Sequence, residues 1–226
     1  MIEQLKKKGY GYGSGVLSPN ASQFIVNIPK NASSYILDWA RHHNWNAAEI
    51  QNIPDVQRVT EVIIVLRDPL RRWISGMGQY LTSYVLNVTG AYSWETGPGP
   101  YDQQISGDEF IAGYNQIVER VLFDNLERHD DHVWPQNEFF KDLLPGVPRK
   151  YFYLGLDFDK EFGKYLNFSG INGLDRNSGD TNTNTEKVQQ FIEHRLNIRP
   201  ELRQRVIDAY EKDYQLIEEV LNVHTR

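Results

Sequence analysis

The sequence predicts an α/β fold, in which a central and mostly parallel β-sheet is flanked by helices in three layers. Residues 24–28 and 61–66 are short, mostly apolar runs rich in β-branched side chains, which is typical of buried parallel strands. Each run is followed by a polar loop and then by apolar residues at helical spacing. Because strands and helices alternate in this way, a parallel sheet covered on both faces is favoured.

The composition is that of a globular protein. The chain has 226 residues, of which 40% are hydrophobic and 24% are charged, and this length is enough to bury a substantial core. We therefore predict a single domain over 1–226, with a flexible arm at 1–20 and a long insert at about 87–106. Two Gly-Pro pairs interrupt any periodicity within that insert.

Charge, hydropathy and cysteine content exclude several classes of protein. The formal net charge of −6 argues against a nucleic-acid partner, and no apolar run reaches the roughly 18 residues of a membrane span. The lysine-rich residues 1–10 are not followed by an apolar stretch, so no signal peptide is predicted and a cytoplasmic location is expected. The absence of cysteine excludes disulfides and thiolate metal sites.

The remaining elements follow from the same patterns. The segment 46–59 is mixed and predicts only a short helix and a loop. Further along, the patterns predict in order a helix over 70–86, a helix that begins at a capping box over 106–109, a strand over 150–156, a helix over 157–166, a polar loop over 171–185 and a last helix from Pro200. The inner face of that last helix is predicted to carry Leu202, Val206, Tyr210, Ile217 and Leu221.

The first strand-to-helix junction has the features of an anion-binding site. Pro29 ends the strand because proline is poorly tolerated inside a central strand. The helix then begins at Ser33 and Ser34, where unpaired backbone N–H groups and the positive end of the helix dipole attract anions. Lys30 adds a mobile positive charge at the same place.

The second junction carries a similar set of polar side chains. Arg67 directly follows the strand over 61–66, and Ser75 lies two turns into the next helix. Both can face the crevice at the carboxyl ends of the strands, where open α/β sheets bind ligands. The planar guanidinium group of arginine suits phosphate, and a serine hydroxyl can complete the contacts.

Together, the two junctions resemble the phosphate-binding motifs of the sulfotransferases that use 3′-phosphoadenosine 5′-phosphosulfate (PAPS). Residues 29–34 match the donor loop P-K-x-G-[ST]-[ST] of that family, except that Ala32 replaces glycine. Residues 67–75 fill every fixed position of its 3′-phosphate motif, R-D-P-x-x-R-x-x-S. Residues 132–136 and 151–155 are similar to an H-x-x-P-Q segment and to the strand that follows it in the carbohydrate branch of the family.

The resemblance implies an enzyme on a P-loop nucleotide-kinase-like sheet, with PAPS as cosubstrate, no metal and a carbohydrate hydroxyl as the expected acceptor. It implies nucleotide contacts from Lys30, Asn31, Ala32, Ser33, Ser34, Arg67 and Ser75, and Arg176 in the late polar loop is a further candidate for such a contact. Lys30 would stabilise charge on the bridging oxygen as the sulfuryl group leaves. An alanine at position 32 is expected to fit the loop only if its φ is negative, because glycine is the usual residue where a backbone approaches phosphate closely.

The general base is left open among several residues. Transfer to a hydroxyl group requires removal of a proton, which histidine or a carboxylate usually performs. His132 is the first choice because it lies in the family-like segment, and Asp130 and Asp131 beside it can orient or replace it. The alternative is that His132 only packs against or caps a loop. His42 and His43 close the first helix and are predicted to be structural.

Two other classes of function remain open. A phosphoryl-transfer enzyme of related fold would use ATP and magnesium, yet no G-x-x-x-x-G-K-[ST] loop occurs in the chain. A module that binds the nucleotide without catalysing transfer is the second alternative, because Ala32 departs from the donor-loop motif of the family.

Overall fold

The computed structural model describes residues 13–88, 131–167 and 183–224. Within these ranges the chain forms five β-strands and six α-helices. The strands are β1 (Ser14–Leu17), β2 (Gln23–Val26), β3 (Asn46–Glu49), β4 (Glu61–Leu66) and β5 (Arg149–Tyr153). The helices are α1 (Ser33–His42), α2 (Pro69–Val88), α3 (Phe158–Tyr165), α4 (Thr183–Ile198), α5 (Pro200–Ala209) and α6 (Glu211–His224).

The five strands form one mixed sheet in the order β3-β1-β2-β4-β5. β4 pairs in parallel with both β2 and β5, whereas β1 pairs antiparallel with both β2 and β3. The α/β class predicted from the sequence is confirmed, but the sheet is mixed rather than mostly parallel. Because β2 and β3 are both antiparallel to β1, they run in the same direction. The chain therefore leaves β2, β3, β4 and β5 at one carboxyl edge of the sheet.

The centre of the sheet is buried on both of its faces. Successive residues of β4 point to opposite faces, and all of those from Val62 to Leu66 are at most 1% exposed. Helices α1 and α3 share one core cluster with the strands. Within that cluster, Phe162 of α3 packs edge-on against Trp39 of α1 and against Phe152 of β5. This packing gives the loops at the carboxyl edge a rigid support.

The chain divides into two compact units. The first comprises 1–69, 135–179 and 211–226 and contains the sheet with α1, α3 and α6; the second comprises 70–134 and 180–210. Within the second unit α4 contacts α5, and α2 approaches α4 closely, since a Cβ on Gly78 would lie 2.5 Å from Cγ of Gln189. Its core includes the buried residues Trp73, Met77, Leu81, Val188, Ile192, Leu202 and Val206.

Several elements differ from the sequence-based predictions. β1 lies inside the segment predicted as an arm, and it requires Gly15, because a Cβ there would come 2.2 Å from the carbonyl oxygen of Ile25. β3 occupies the start of the mixed segment 46–59. The predicted last helix is interrupted at Tyr210, whose φ of −112° and ψ of 21° are not helical. As a result, Leu221 is 42% exposed rather than internal.

Some predictions fall on parts of the chain that lie outside the described residues. These are the helix from 106–109, the insert beyond residue 88 and most of the loop over 171–185. Within the described ranges, the structure contains no helix whose length and apolar character would suit a crossing of a membrane.

A Tyr165→Phe variant tests a polar contact at the periphery of the sheet. The Tyr165 hydroxyl donates a hydrogen bond to Oε1 of Glu61. Burial, this hydrogen bond and the charge of Glu61 raise the pKa of Tyr165 from 10.0 to about 12. A pKa raised by folding adds stability below about pH 10, and that stability is lost as the pH rises toward about 12.

We therefore expect Tyr165→Phe to lower the free energy of unfolding near neutral pH, and the deficit to shrink above about pH 10. Urea denaturation across this pH range measures the effect. Tyr151→Phe is the control, because the Tyr151 hydroxyl makes no hydrogen bond to any described residue. The role of this contact would be contradicted if Tyr165→Phe lost no more free energy of unfolding than the control does, or if its loss grew with pH.

Candidate anion-binding site

The loop between β2 and α1 lies at the carboxyl edge of the sheet. Its backbone is left-handed at two positions, Lys30 with φ of 67° and Ala32 with φ of 60°. The condition under which an alanine was expected to fit this loop, a negative φ, is therefore not met at Ala32. A left-handed backbone costs a residue that carries a Cβ about 1–2 kcal/mol, so other contacts must hold this loop in place.

Three backbone N–H groups converge where α1 begins. Ala32 is left-handed and Ser33 is the first helical residue, and two successive residues of this kind turn the N–H groups of residues 32, 33 and 34 toward one concavity. Among the described residues, none accepts a hydrogen bond from these groups, and no side chain caps the helix. The first helical hydrogen bond runs from the N–H of Ile36 to the oxygen of Ala32 at 2.9 Å. The concavity lies at the positive end of the helix dipole and suits an anion.

The side-chain amide of Gln136 holds this loop against the sheet. Gln136 is 0% exposed. Its Oε1 accepts hydrogen bonds from Nδ2 of Asn31 and from the N–H of Arg67, and its Nε2 donates to the carbonyl oxygen of Arg67 at 2.8 Å. Nδ2 of Asn31 also donates to the carbonyl oxygen of Val65 at 2.8 Å. One buried amide thus ties the loop after β2 to the end of β4.

Gln136 is itself fixed from α6. The carboxylate of Asp213, which is 1% exposed, accepts hydrogen bonds from the N–H groups of Gln136 at 2.6 Å and Asn137 at 3.0 Å. These two N–H groups belong to the first turn of a short 3₁₀ helix over Gln136–Phe139. Hydrogen bonds to a charged acceptor are stronger than neutral ones, so Asp213 sets the position from which Gln136 reaches the loop.

Arg67 supports the loop from a second direction. Its Nη1 donates a hydrogen bond to the carbonyl oxygen of Lys30 at 2.9 Å, which holds the first left-handed residue.

Tyr153, the last residue of β5, lies within electrostatic range of both Arg67 and Asp68. Burial raises the pKa of Tyr153, and Asp68 raises it further while Arg67 opposes the shift. The Tyr153 hydroxyl therefore stays protonated at neutral pH and can donate a hydrogen bond.

Ser75 and His132 belong to the second unit. Ser75 is 7% exposed, and a Cβ on the next residue, Gly76, would lie 2.4 Å from the carbonyl oxygen of His132. The segment around His132 is also held by the buried Arg72, whose guanidinium donates to two of its main-chain carbonyl oxygens. Nδ1 of His132 lies 3.0 Å from Oδ1 of Asp131. When Nδ1–H donates to this carboxylate, Nε2 becomes the basic nitrogen of the ring.

The other predicted residues have simpler positions. Nδ1 of His42 lies 2.8 Å from the carbonyl oxygen of Asp38, and Nδ1 of His43 lies 2.9 Å from that of Trp39, so both rings contact the last turns of α1. Arg176 lies outside the described residues. Of the predicted nucleotide contacts, the first unit contains residues 30–34 and Arg67, whereas Ser75 lies in the second unit.

Sequence reasoning missed the roles of Gln136 and Asp213. In the sequence Gln136 is only the last residue of the H-x-x-P-Q segment. Nothing in the sequence indicates that its side-chain amide bonds both to the loop after β2 and to the residue that follows β4. Asp213 gives a clearer signal, because it lies three residues after Tyr210 and four before Ile217 on a face predicted to be apolar. A carboxylate at such a position is buried and needs hydrogen-bond donors.

The interpretation of this site depends on the chain's own residues. Comparisons with known protein families, with curated proteins and with solved structures find no match to this chain. The support for the anion site is therefore its three N–H groups that bond to no described residue, its left-handed backbone and the buried hydrogen bonds beneath it.

An Ala32→Gly variant tests the backbone of the loop. Glycine adopts a positive φ without the steric penalty of a Cβ, so we expect the free energy of unfolding to rise by about 0.5–1 kcal/mol. Ala21 has a φ of 59° outside the site, and Ala21→Gly should give a similar gain. Ala47→Gly, at an exposed position of β3, should instead lose about 0.5–1 kcal/mol. Urea denaturation measures these changes. If Ala32→Gly lowers the free energy of unfolding as much as Ala47→Gly does, the backbone at position 32 is not left-handed.

A Gln136→Ala variant tests the buried amide. It leaves Nδ2 of Asn31 and both backbone groups of Arg67 without the partner described above, and we expect a loss of about 2–4 kcal/mol in the free energy of unfolding. Gln204→Ala is the matched control, since the Gln204 amide is exposed and, among the described residues, is hydrogen-bonded only to Asp208 on its own helix. That variant should lose less than about 0.5 kcal/mol. Similar losses for the two variants in guanidinium denaturation would rule out a structural role for Gln136.

Proposed function

We propose that this protein is a sulfotransferase that takes a sulfuryl group from PAPS and transfers it to a hydroxyl group, with a carbohydrate as the acceptor. The observation that carries this proposal is the set of three convergent N–H groups at residues 32–34, to which no described residue is bonded. They follow a buried strand and precede a helix, as the donor loop of the resembling family does. The phosphosulfate end of the nucleotide is the anion proposed for this concavity.

The charges at the carboxyl edge support a ligand with two anionic groups. Lys30 lies in the loop itself, and the guanidinium of Arg67 is bonded to the carbonyl oxygen of Lys30. Two cationic side chains at one edge of the sheet suit a nucleotide that carries phosphate at both the 3′ and 5′ positions. In this proposal the 5′ end lies on residues 30–34 and the 3′-phosphate on Arg67. The guanidinium of Arg67 has five N–H donors, so it can bond to the carbonyl oxygen of Lys30 and to a phosphate group at the same time.

For this transfer the protein must mainly hold the donor and the acceptor in line and place a fixed positive charge near the leaving oxygen. The acceptor oxygen forms a bond to sulfur while the bond between sulfur and the bridging phosphate oxygen breaks. The electron pair of that bond leaves with 3′-phosphoadenosine 5′-phosphate, and the hydroxyl proton passes to a base. Lys30 is proposed to neutralise the charge that grows on the bridging oxygen. His132, held beside Asp131 in the second unit, has the form of an oriented base.

Calorimetric titration with two nucleotides tests the binding part of the proposal. Wild-type protein should bind 3′-phosphoadenosine 5′-phosphate at least about tenfold more tightly than AMP, because the added phosphate gains charge-assisted hydrogen bonds. Arg67→Ala should weaken binding of the first nucleotide much more than that of AMP. Arg41→Ala is the control, since Arg41 is an exposed arginine at the far end of α1. Equal losses for both nucleotides would mean that Arg67 only supports the loop.

A transfer assay with radiolabelled PAPS and a mixture of simple glycosides tests the catalytic part. Lys30→Ala should keep near-normal affinity for 3′-phosphoadenosine 5′-phosphate but lose about 100-fold or more in transfer rate. Lys164→Ala, at an exposed position of α3, should leave both unchanged. Failure of the wild type to bind the nucleotide at millimolar concentration would end the proposal, and nucleotide binding without any transfer would favour the non-catalytic alternative.

A further inference from the structure

A second feature of the carboxyl edge is a cavity of about 530 Å³ beside the loop. Its volume falls in the range of roughly 300–1,000 Å³ that is typical of small-molecule sites. None of the residues assigned above to the anion site lines it. The lining includes Ser14, Asn27, Leu37, Ala47, Glu49 and Asn52.

The cavity and the anion site lie at the same edge of the sheet. Asn27 follows the last residue of β2, Glu49 is the last residue of β3, and Ser14 pairs with Glu49 in the sheet register. Asn27 also precedes Lys30 by three residues, so their Cα atoms are at most about 11 Å apart. A molecule in the cavity therefore lies next to the loop that is proposed to hold the sulfuryl donor.

Two residues that line the cavity, Asn27 and Glu49, carry acceptor oxygens that bond to no described residue. Oδ1 of Asn27 is buried and accepts no hydrogen bond from any described residue. Oε2 of Glu49 accepts from the side-chain amides of Gln51 and Asn52, whereas its Oε1 accepts from no described residue. A buried acceptor without a partner costs free energy, and a ligand that brings hydroxyl donors would remove that cost.

The rest of the wall narrows the class of ligand. Leu37 and Ala47 supply apolar surface, which suits the C–H face of a sugar ring. Glu49 is the one charged residue among the described residues that line the cavity, so a carboxylated or sulfated ligand would meet repulsion there. We propose that this cavity is the acceptor site and that it takes a neutral sugar. This inference rests on the proposed function, because the term acceptor presupposes the bound donor.

Saturation-transfer NMR with a panel of neutral disaccharides (lactose, maltose and cellobiose) tests the site, with glucuronate as the anionic probe. Wild-type protein should bind at least one of the disaccharides at millimolar concentration and should not bind glucuronate. Ala47→Phe adds a ring to the cavity wall from an exposed position of β3, and this obstruction should abolish the signal. Asn27→Ala should weaken binding about tenfold, as loss of one hydrogen bond to a buried acceptor does.

Asn46→Phe is the matched control for Ala47→Phe, because it adds the same ring to an exposed residue of the same strand that does not line the cavity. It should leave sugar binding unchanged. All three variants should keep their affinity for 3′-phosphoadenosine 5′-phosphate within about twofold, a difference of about 0.4 kcal/mol, and this also shows that they are folded.

The outcomes separate this inference from the proposed function. Nucleotide binding without binding of any neutral disaccharide overturns the acceptor site and leaves the donor site in place. Sugar binding that survives Ala47→Phe, or a preference for glucuronate, overturns the location or the ligand class. If the wild-type protein binds a sugar but does not bind 3′-phosphoadenosine 5′-phosphate, both the acceptor role and the proposed function are overturned.

Discussion

One buried amide sets the geometry on which the loop and the strand ends depend. The side-chain amide of Gln136 accepts a hydrogen bond from the N–H of Arg67 and donates one to the carbonyl oxygen of Arg67. It also accepts one from the side chain of Asn31, so the loop after β2 and the end of β4 are tied together. Asp213 fixes Gln136 in turn. Because Gln136, Asn31 and Asp213 are buried, loss of one leaves the polar groups of the others unpaired at a cost larger than that of a single exposed hydrogen bond. The network is therefore cooperative, and its members act as one unit.

This network explains how the loop can keep an unfavourable backbone. Lys30 and Ala32 are both left-handed, and each costs about 1–2 kcal/mol, which the contacts of Arg67 and Gln136 offset. In return, three N–H groups point into one concavity before any ligand arrives. Binding then requires little reordering of the chain, and this lowers the entropic cost of association.

The parts of the fold that sequence reasoning found are those with strong local patterns. β4 contains five consecutive apolar residues after Glu61, and α1 and α2 show clear helical periodicity after a polar junction. β1 and β3 were not predicted because neither contains a run of large apolar residues: β1 has two, Val16 and Leu17, and β3 has none. The left-handed φ of Ala32 could not be inferred, since alanine carries no preference for it and only the buried contacts beneath the loop impose it. The pairing of Gln136 with Arg67 joins residues 69 positions apart, which local patterns do not reveal.

The strand order has a consequence for synthesis of the chain on the ribosome. β4 finds its first neighbour, β2, soon after it is translated, but its other neighbour is β5, where Arg149 pairs opposite Val62. Until that later stretch emerges, one side of the most hydrophobic strand presents open backbone groups, which are a template for pairing with other nascent chains. Molecular chaperones that shield extended apolar segments would thus matter most for this protein in the interval between translation of β4 and of β5.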